Sequence, residues 1–184
     1  MNSKNLALTA VFAALYAVLV ILQGISAAAT IQLRIADCLI PLAAIFGLPH
    51  IIGVTVGCFV GNAYFSASLQ YGIFDIVFGP IANLAAASLI FKLRKKPLVG
   101  CLLGAFTIGL IVGSYLWLLF GAPENLFGLK LPASLPVWVA SIISITGSSL
   151  VAVTILGYML LKVFRNSNII KPLKSRGLQV YLDE

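Results

Sequence analysis

Apolar residues in this chain come in long runs, broken by glycine, proline and small polar clusters. The first run is Leu6 to Leu22, behind Lys4. Residues 24–35, GISAAATIQLRI, form a polar-enriched connection, and a short run follows from about Ala36 to Phe46. Gly47-Leu48-Pro49-His50 reads as a tight turn, because Gly and Pro both interrupt helices. Further runs cover about 51–64, 73–91, 98–120 and 137–164, separated by SASLQYG, KLRKKP and GAPENLFGLKLPASLP. A membrane-spanning helix needs roughly 20 mostly apolar residues. The pattern therefore predicts an all-α membrane protein, a compact bundle of six transmembrane helices over 6–22, 36–46, 51–64, 73–91, 98–120 and 137–164. It forms a single domain, 1–164, followed by a basic tail, 165–184. A cleaved signal peptide is the rival for the first run, with Ala27-Ala28-Ala29 as its processing site. The run is longer than the roughly 7–15 residues of a signal core, so it reads as span 1.

Composition agrees with this pattern. Of 184 residues, 61% are apolar and 9% charged, against about 25% charged in an ordinary soluble domain. A soluble domain and a disordered chain are both excluded, and no length is left for a soluble catalytic module. The net charge of +7 would suggest nucleic acid in a soluble protein. Here it reflects unequal loops, and no nucleic-acid partner is expected. With the N-terminus cytoplasmic, ten of the twelve Lys and Arg residues fall inside: Lys4, Lys92, Arg94, Lys95, Lys96, Lys162, Arg165, Lys171, Lys174 and Arg176. Only Arg34 and Lys130 fall outside. The positive-inside rule then fits an even number of spans, with both termini cytoplasmic. The basic tail also suits contact with anionic membrane lipid.

The acidic residues are few and not scattered. Asp37, Asp75 and Glu124, with Arg34, sit at or near the outer face on this topology. Ionisable groups within a span are costly and face a cavity or a partner, so their convergence points to a binding site open to the outside. Arg34 and Asp37 are three apart and can pair if a helix starts near Gln32. Asp75, Gly79 and Asn83 form one helical stripe, a carboxylate above a flat gap above an amide, with Pro80 expected to add a kink. That surface suits a planar ligand with hydrogen-bond donors. Asn62 lies near the outer end of the third span, and Ser141, Ser144 and Ser148 give the last span a mildly polar face.

Small residues make a second pattern: Gly53, Gly57 and Gly61 in the third span, and Gly100 with Gly104 and Gly109 with Gly113 in the fifth. Ala10 with Ala14 and Ala13 with Ala17 lie in the first. Such faces let helices approach closely in lipid, within the bundle or, on the first helix, against a partner membrane protein.

No P-loop, HExxH or GxSxG occurs, so no catalytic residue, cofactor or ATP-hydrolysing motif is expected. Cys38, Cys58 and Cys101 lack metal-ligand spacing and His50 is the single histidine, so no metal site is expected.

The stretch IQLRIADCLIPLAAIFGLPHIIGVTVGCFVGN, followed by GIFDIVFGPIANLAAASLIFKL, resembles the queuosine-precursor transporter (QueT) family. The matching features are Gln32 to Asp37, Pro41-Leu42, Gly53 to Asn62 and Gly72 to Gly79. That family consists of substrate-binding S components of energy-coupling factor (ECF) transporters in prokaryotic cell membranes. The resemblance implies six helices, a substrate-capping loop after the first, and capture of a 7-deazaguanine from outside. It implies as partners a transmembrane coupling protein and two cytoplasmic ATPases, and Ala10-xxx-Ala14 looks like the alanine motif that docks on the coupling protein. For the cargo, Asp75 or Asp37 would accept the adjacent N–H donors of a guanine-like edge. Arg34 or Asn62 would donate to the ring carbonyl, and Tyr64, Tyr71 or Phe74 would stack on the ring. One departure stands out: where the family's last helix carries Gly-Glu, this chain has Gly147-Ser148. Glu124 would then meet an aminomethyl cation, or the ligand would lack that cation. An S component for another vitamin-like compound, a stand-alone carrier, and a membrane enzyme or structural subunit are the other readings.

Overall fold

A computed structural model of the chain describes residues 3–26, 34–67, 69–121, 125–126, 129–130, 132 and 134–181. Helix α1 runs Ser3–Ser26. A 3-10 helix, Ile35–Leu42, leads into a single α-turn, α2, Ala43–Phe46. Then come α3 (Leu48–Ser66), α4 (Gly72–Lys92) and α5 (Pro97–Phe120). The two-residue strands β1 (Asn125–Leu126) and β2 (Leu129–Lys130) pair antiparallel. Helix α6 (Val137–Ser149) continues through a π-helical stretch, Leu150–Gly157, into α7 (Tyr158–Phe164), and α8 covers Ser167–Ser175. The architecture is a helical membrane bundle. Among the described residues, five helices are long and apolar enough to cross a bilayer: Ser3–Gln23, Leu48–Ser66, Gly72–Lys92, Pro97–Phe120 and Val137–Phe164. Large side chains such as Leu15, Phe59, Phe106 and Met159 stand exposed on their outer faces, as lipid contact requires.

The helix starting at about residue 51 in the sequence reading begins at Leu48 instead. The chain break falls on Gly47 alone, at φ +62°, and Pro49 sits in the first turn of α3, where its missing N–H costs nothing. Helix α4 passes through Pro80 as one element.

The segment Ile35–Phe46 is shorter than the five long helices. Eight residues of 3-10 helix and four of α-helix rise about 22 Å in all, short of a hydrocarbon core of about 30 Å. Almost every residue from Ala36 to Phe46 is buried. Lipid therefore does not stabilise this segment; protein surrounds it. Gly157 lets the π-helical stretch press against it, since a Cβ there would lie 2.7 Å from Pro41 Cγ and 2.9 Å from the Cys38 carbonyl oxygen.

The small-residue stripes explain the helix pairing. Helices α1 and α3 run side by side in the same direction. A Cβ on Gly53 would meet the Thr9 carbonyl at 2.8 Å, one on Gly57 the Ala13 carbonyl at 2.5 Å, and one on Gly61 Val20 at 2.7 Å. On α5, Gly100 and Gly104 face Ile90 of α4, while Gly109 and Gly113 face Thr146 and Ile142 of α6. The alanines of α1 divide: Ala17 is buried and Ala13 backs onto α3, whereas Ala10 and Ala14 are exposed.

Basic residues gather at one end of the bundle. Lys4 Nζ donates to the Arg176 carbonyl at 2.7 Å, which brings the start of α1 against the tail. Helix α4 ends there at Lys92 and starts at the opposite end, near Asp75. Part of the tail packs on the bundle: α8 buries Ile170.

Candidate functional site

At the end opposite the basic residues, four elements converge on one polar network. Asn62 comes from the last turns of α3, Asp75 from the first turn of α4, Tyr115 from late α5, and Arg34 caps the 3-10 helix. The α3–α4 connection is tight: a Cβ on Gly72 would lie 1.7 Å from the Ser66 carbonyl, so only glycine fits there. Tyr71 before it takes a left-handed φ of +65°. This turn sets Ser66 beside Asp75.

Asp75 is the hub and is only 3% exposed. Its Oδ1 accepts from the Tyr115 hydroxyl at 2.9 Å and its Oδ2 from the Ser66 hydroxyl at 3.0 Å. Arg34 lies 3.7 Å from Oδ2 and donates to Asn62 Oδ1 at 2.9 Å. The Asn62 amide donates to the Asp75 carbonyl at 2.8 Å and approaches Cys58 Sγ at 3.6 Å. Gly79 makes room for this: a Cβ there would sit 2.4 Å from Asn62 Nδ2. Tyr115 is braced by Phe74 and Phe78, with ring centroids 6.5 and 5.9 Å from its own. Beside the network, the Tyr16 hydroxyl of α1 donates to Asp37. Arg34, with a quarter of its side chain exposed, is the network's wet edge.

The arrangement can recognise a polar edge. A carboxylate offers about four lone-pair sites, and two hydroxyls leave room for two more donors on Asp75. Arg34 keeps further N–H groups for an acceptor. Two carboxylates beside one guanidinium favour a ligand rich in donors.

The structure brings Arg34, Asn62 and Asp75 together, but it does not pair Arg34 with Asp37. Arg34 precedes the helix rather than riding on it, so the two side chains find separate partners, Asp75 and Tyr16. Asn83 lies two turns deeper on α4, buried, with its amide nitrogen unpartnered among the described residues. Ser148 is buried and bonds back to the Ile145 carbonyl. Tyr71 is about half exposed at the α4 start, and Tyr64 stands out at 71%; Phe74 is half-buried within the aromatic group. Glu124, Gln32 and the loop after α1 lie outside the described residues. Sequence reasoning missed Tyr16, Ser66 and Tyr115. A tyrosine in an apolar run reads as a hydrophobe, although its hydroxyl needs a partner once buried, and that need was the available signal. Among the described residues no cluster of metal-ligating side chains occurs.

A family model described as "QueT transporter" matches residues 6–166. Comparisons with curated proteins and with solved structures gave no match. The family match takes in the long apolar helices, all but the first three residues of α1, and includes Arg34, Asn62, Ser66, Asp75 and Tyr115 of the polar network. The chain is thus a multi-pass membrane protein and belongs to the QueT transporter family.

Proposed function

We propose that this protein is the substrate-binding S component of an ECF-type importer in a prokaryotic cell membrane. It captures a 7-deazaguanine precursor of queuosine (preQ1, preQ0 or the queuine base) from outside. The observation carrying this reading is the Arg34–Asn62–Asp75–Tyr115 network at the end opposite the basic residues. Asp75 accepts the paired N–H donors of the guanine-like edge in a charge-assisted, two-pronged contact. Arg34 or Asn62 donates to the ring carbonyl, and Asp37 lies close enough to serve a second donor group. Ligand entry exchanges the Arg34–Asp75 ion pair for ligand contacts, from the exposed side of Arg34.

The segment Ile35–Phe46 counts as the second of six crossings, a descending one sheltered by protein. Both termini then lie on the basic side, which is cytoplasmic by the positive-inside rule. The chain carries no ATP-binding motif, so two cytoplasmic ATPases and a transmembrane coupling protein supply the energy. The exposed Ala10–Ala14 face of α1 is the docking surface for that coupling protein. Ala13 and Ala17, turned toward α3, support it from behind.

Calorimetric titration of the purified protein with preQ1, preQ0 and queuine, with riboflavin and biotin as controls, tests the reading. Tight binding of one deazapurine supports it. Binding of riboflavin or biotin alone, or of nothing, overturns the substrate assignment.

A further inference from the structure

The chain beyond α8 forms a strap across the basic end of the bundle. Gly177, at φ +77°, turns it, and Lys4 holds it through the Arg176 carbonyl. The Tyr181 backbone N–H then donates to the Ile45 carbonyl at 2.7 Å. That carbonyl has no helical donor of its own, because α2 ends at Phe46 and the chain turns away at Gly47, which leaves the last carbonyls of the helix open. The Tyr181 ring sits edge-on to Phe91 at 5.0 Å with the Arg94 guanidinium 5.7 Å from its centroid. It also fills the space over Gly47, where a Cβ would lie 2.5 Å from the ring. One residue thus closes the hydrogen bonding and the packing at the lower end of Ile35–Phe46.

The upper end of that segment carries Asp37, bound by Tyr16, and follows directly on Arg34. Its middle is wedged against Gly157 of the π-helical stretch. It is short and mostly 3-10, and its position is set by what grips it: His50 Nε2 at the Leu39 carbonyl, 3.0 Å, in the middle, Tyr16 at the upper end and Tyr181 at the lower. We propose that Tyr181 is a positioning residue for the segment Ile35–Phe46. From the cytoplasmic end it fixes the height of Arg34 and Asp37 in the site. As far as the site is concerned, this rests on the binding reading above.

Cys38 makes the proposal testable without any ligand. It is half-buried in the upper part of the segment, next to Asp37, whereas Cys58 and Cys101 are fully buried elsewhere. Labelling of the three native thiols by N-ethylmaleimide, resolved by mass spectrometry, is compared in wild type, Tyr181→Ala, Tyr181→Pro and Tyr181→Phe. Tyr181→Ala removes the ring, Tyr181→Pro removes the N–H as well, and Tyr181→Phe keeps both. In Tyr181→Pro, Cys38 labelling is expected to rise roughly tenfold, the scale of one buried hydrogen bond lost. Tyr181→Ala should show a smaller rise and Tyr181→Phe none, with Cys58 and Cys101 unchanged throughout. Equal acceleration at all three thiols signals general loosening and overturns the proposal, as does an unchanged Cys38 in a folded Tyr181→Pro protein. Should the proline variant not fold, Tyr181→Ala alone decides on the same criteria. The ligand dissociation rate is the second readout: it should rise in step with Cys38 labelling. Failure of the wild type to bind any deazapurine sinks the site reading and leaves the labelling test intact.

Discussion

Asp75→Asn is the sharpest perturbation of the network. The side chain keeps its shape, so packing at this 3%-exposed position is preserved. Its remaining oxygen still accepts from Tyr115 or Ser66, and the other hydroxyl can turn and accept from the new amide. What is lost is charge. Hydrogen bonds to a charged acceptor are worth about 1.5–3 kcal/mol, neutral ones about 0.5–1.5 kcal/mol. The ion pair with Arg34 is long, 3.7 Å, and a quarter of the Arg34 side chain is exposed, so solvent screens much of it. Destabilisation of about 1–3 kcal/mol follows, with a melting temperature lower by a few degrees to roughly 10 °C. Ligand binding suffers more. A carboxylate accepts two N–H donors at once, whereas an amide aims its own N–H at one of them. One charge-assisted bond disappears and the other becomes neutral, about 3 kcal/mol or more together, which is roughly a hundredfold in Kd. Calorimetry on the two proteins, beside a thermal melt of each, separates the effects. A folded Asp75→Asn protein that binds its deazapurine within about threefold of wild type would refute the reasoning.

Gly79→Ala should displace Asn62, whose amide lies 2.4 Å from the added Cβ; a loss of about 1–3 kcal/mol and weaker binding are expected in the same two assays. Tyr115→Phe removes one donor to Asp75 and keeps the ring packing on Phe74 and Phe78. A cost of about 1–2 kcal/mol in the melt is expected, and no change would show that this hydroxyl is idle. Gly57→Val should separate α1 from α3, because the Ala13 carbonyl is 2.5 Å from the first carbon added. Loss of folded protein on size exclusion is the expected result. In liposomes, ligand uptake should require ATP and the coupling and ATPase partners; uptake by this chain alone would favour a stand-alone carrier.

Much of the fold is legible because lipid imposes a simple rule. Long apolar runs become helices, and the five long helices follow their runs to within a few residues. The small-residue stripes show that helices pack closely but not which pairs do so. The α5 glycines serve two different neighbours, a choice made by topology. Asn62 and Asp75 are conspicuous because polar groups in apolar runs need a reason. Tyr115, which donates to Asp75, and Tyr16, which donates to Asp37, are not, since tyrosine is at home in either setting. The Arg34–Asp37 spacing suggested a local pair, yet tertiary partners lie nearer than the neighbour three residues away. Least legible is the tail, whose basic composition suggests solvent and lipid. Its anchoring includes a backbone N–H, that of Tyr181, meeting the Ile45 carbonyl left open where α2 ends at Gly47, a match between residues far apart in the chain.

The most direct measurement of the central claim is a structure of the protein with bound preQ1. The expected result places the base edge against the Asp75 carboxylate, with Arg34 or Asn62 at the ring carbonyl and the Arg34–Asp75 pair opened. A ligand seated elsewhere, with the contacts among Arg34, Asn62, Asp75, Ser66 and Tyr115 unchanged, would contradict it.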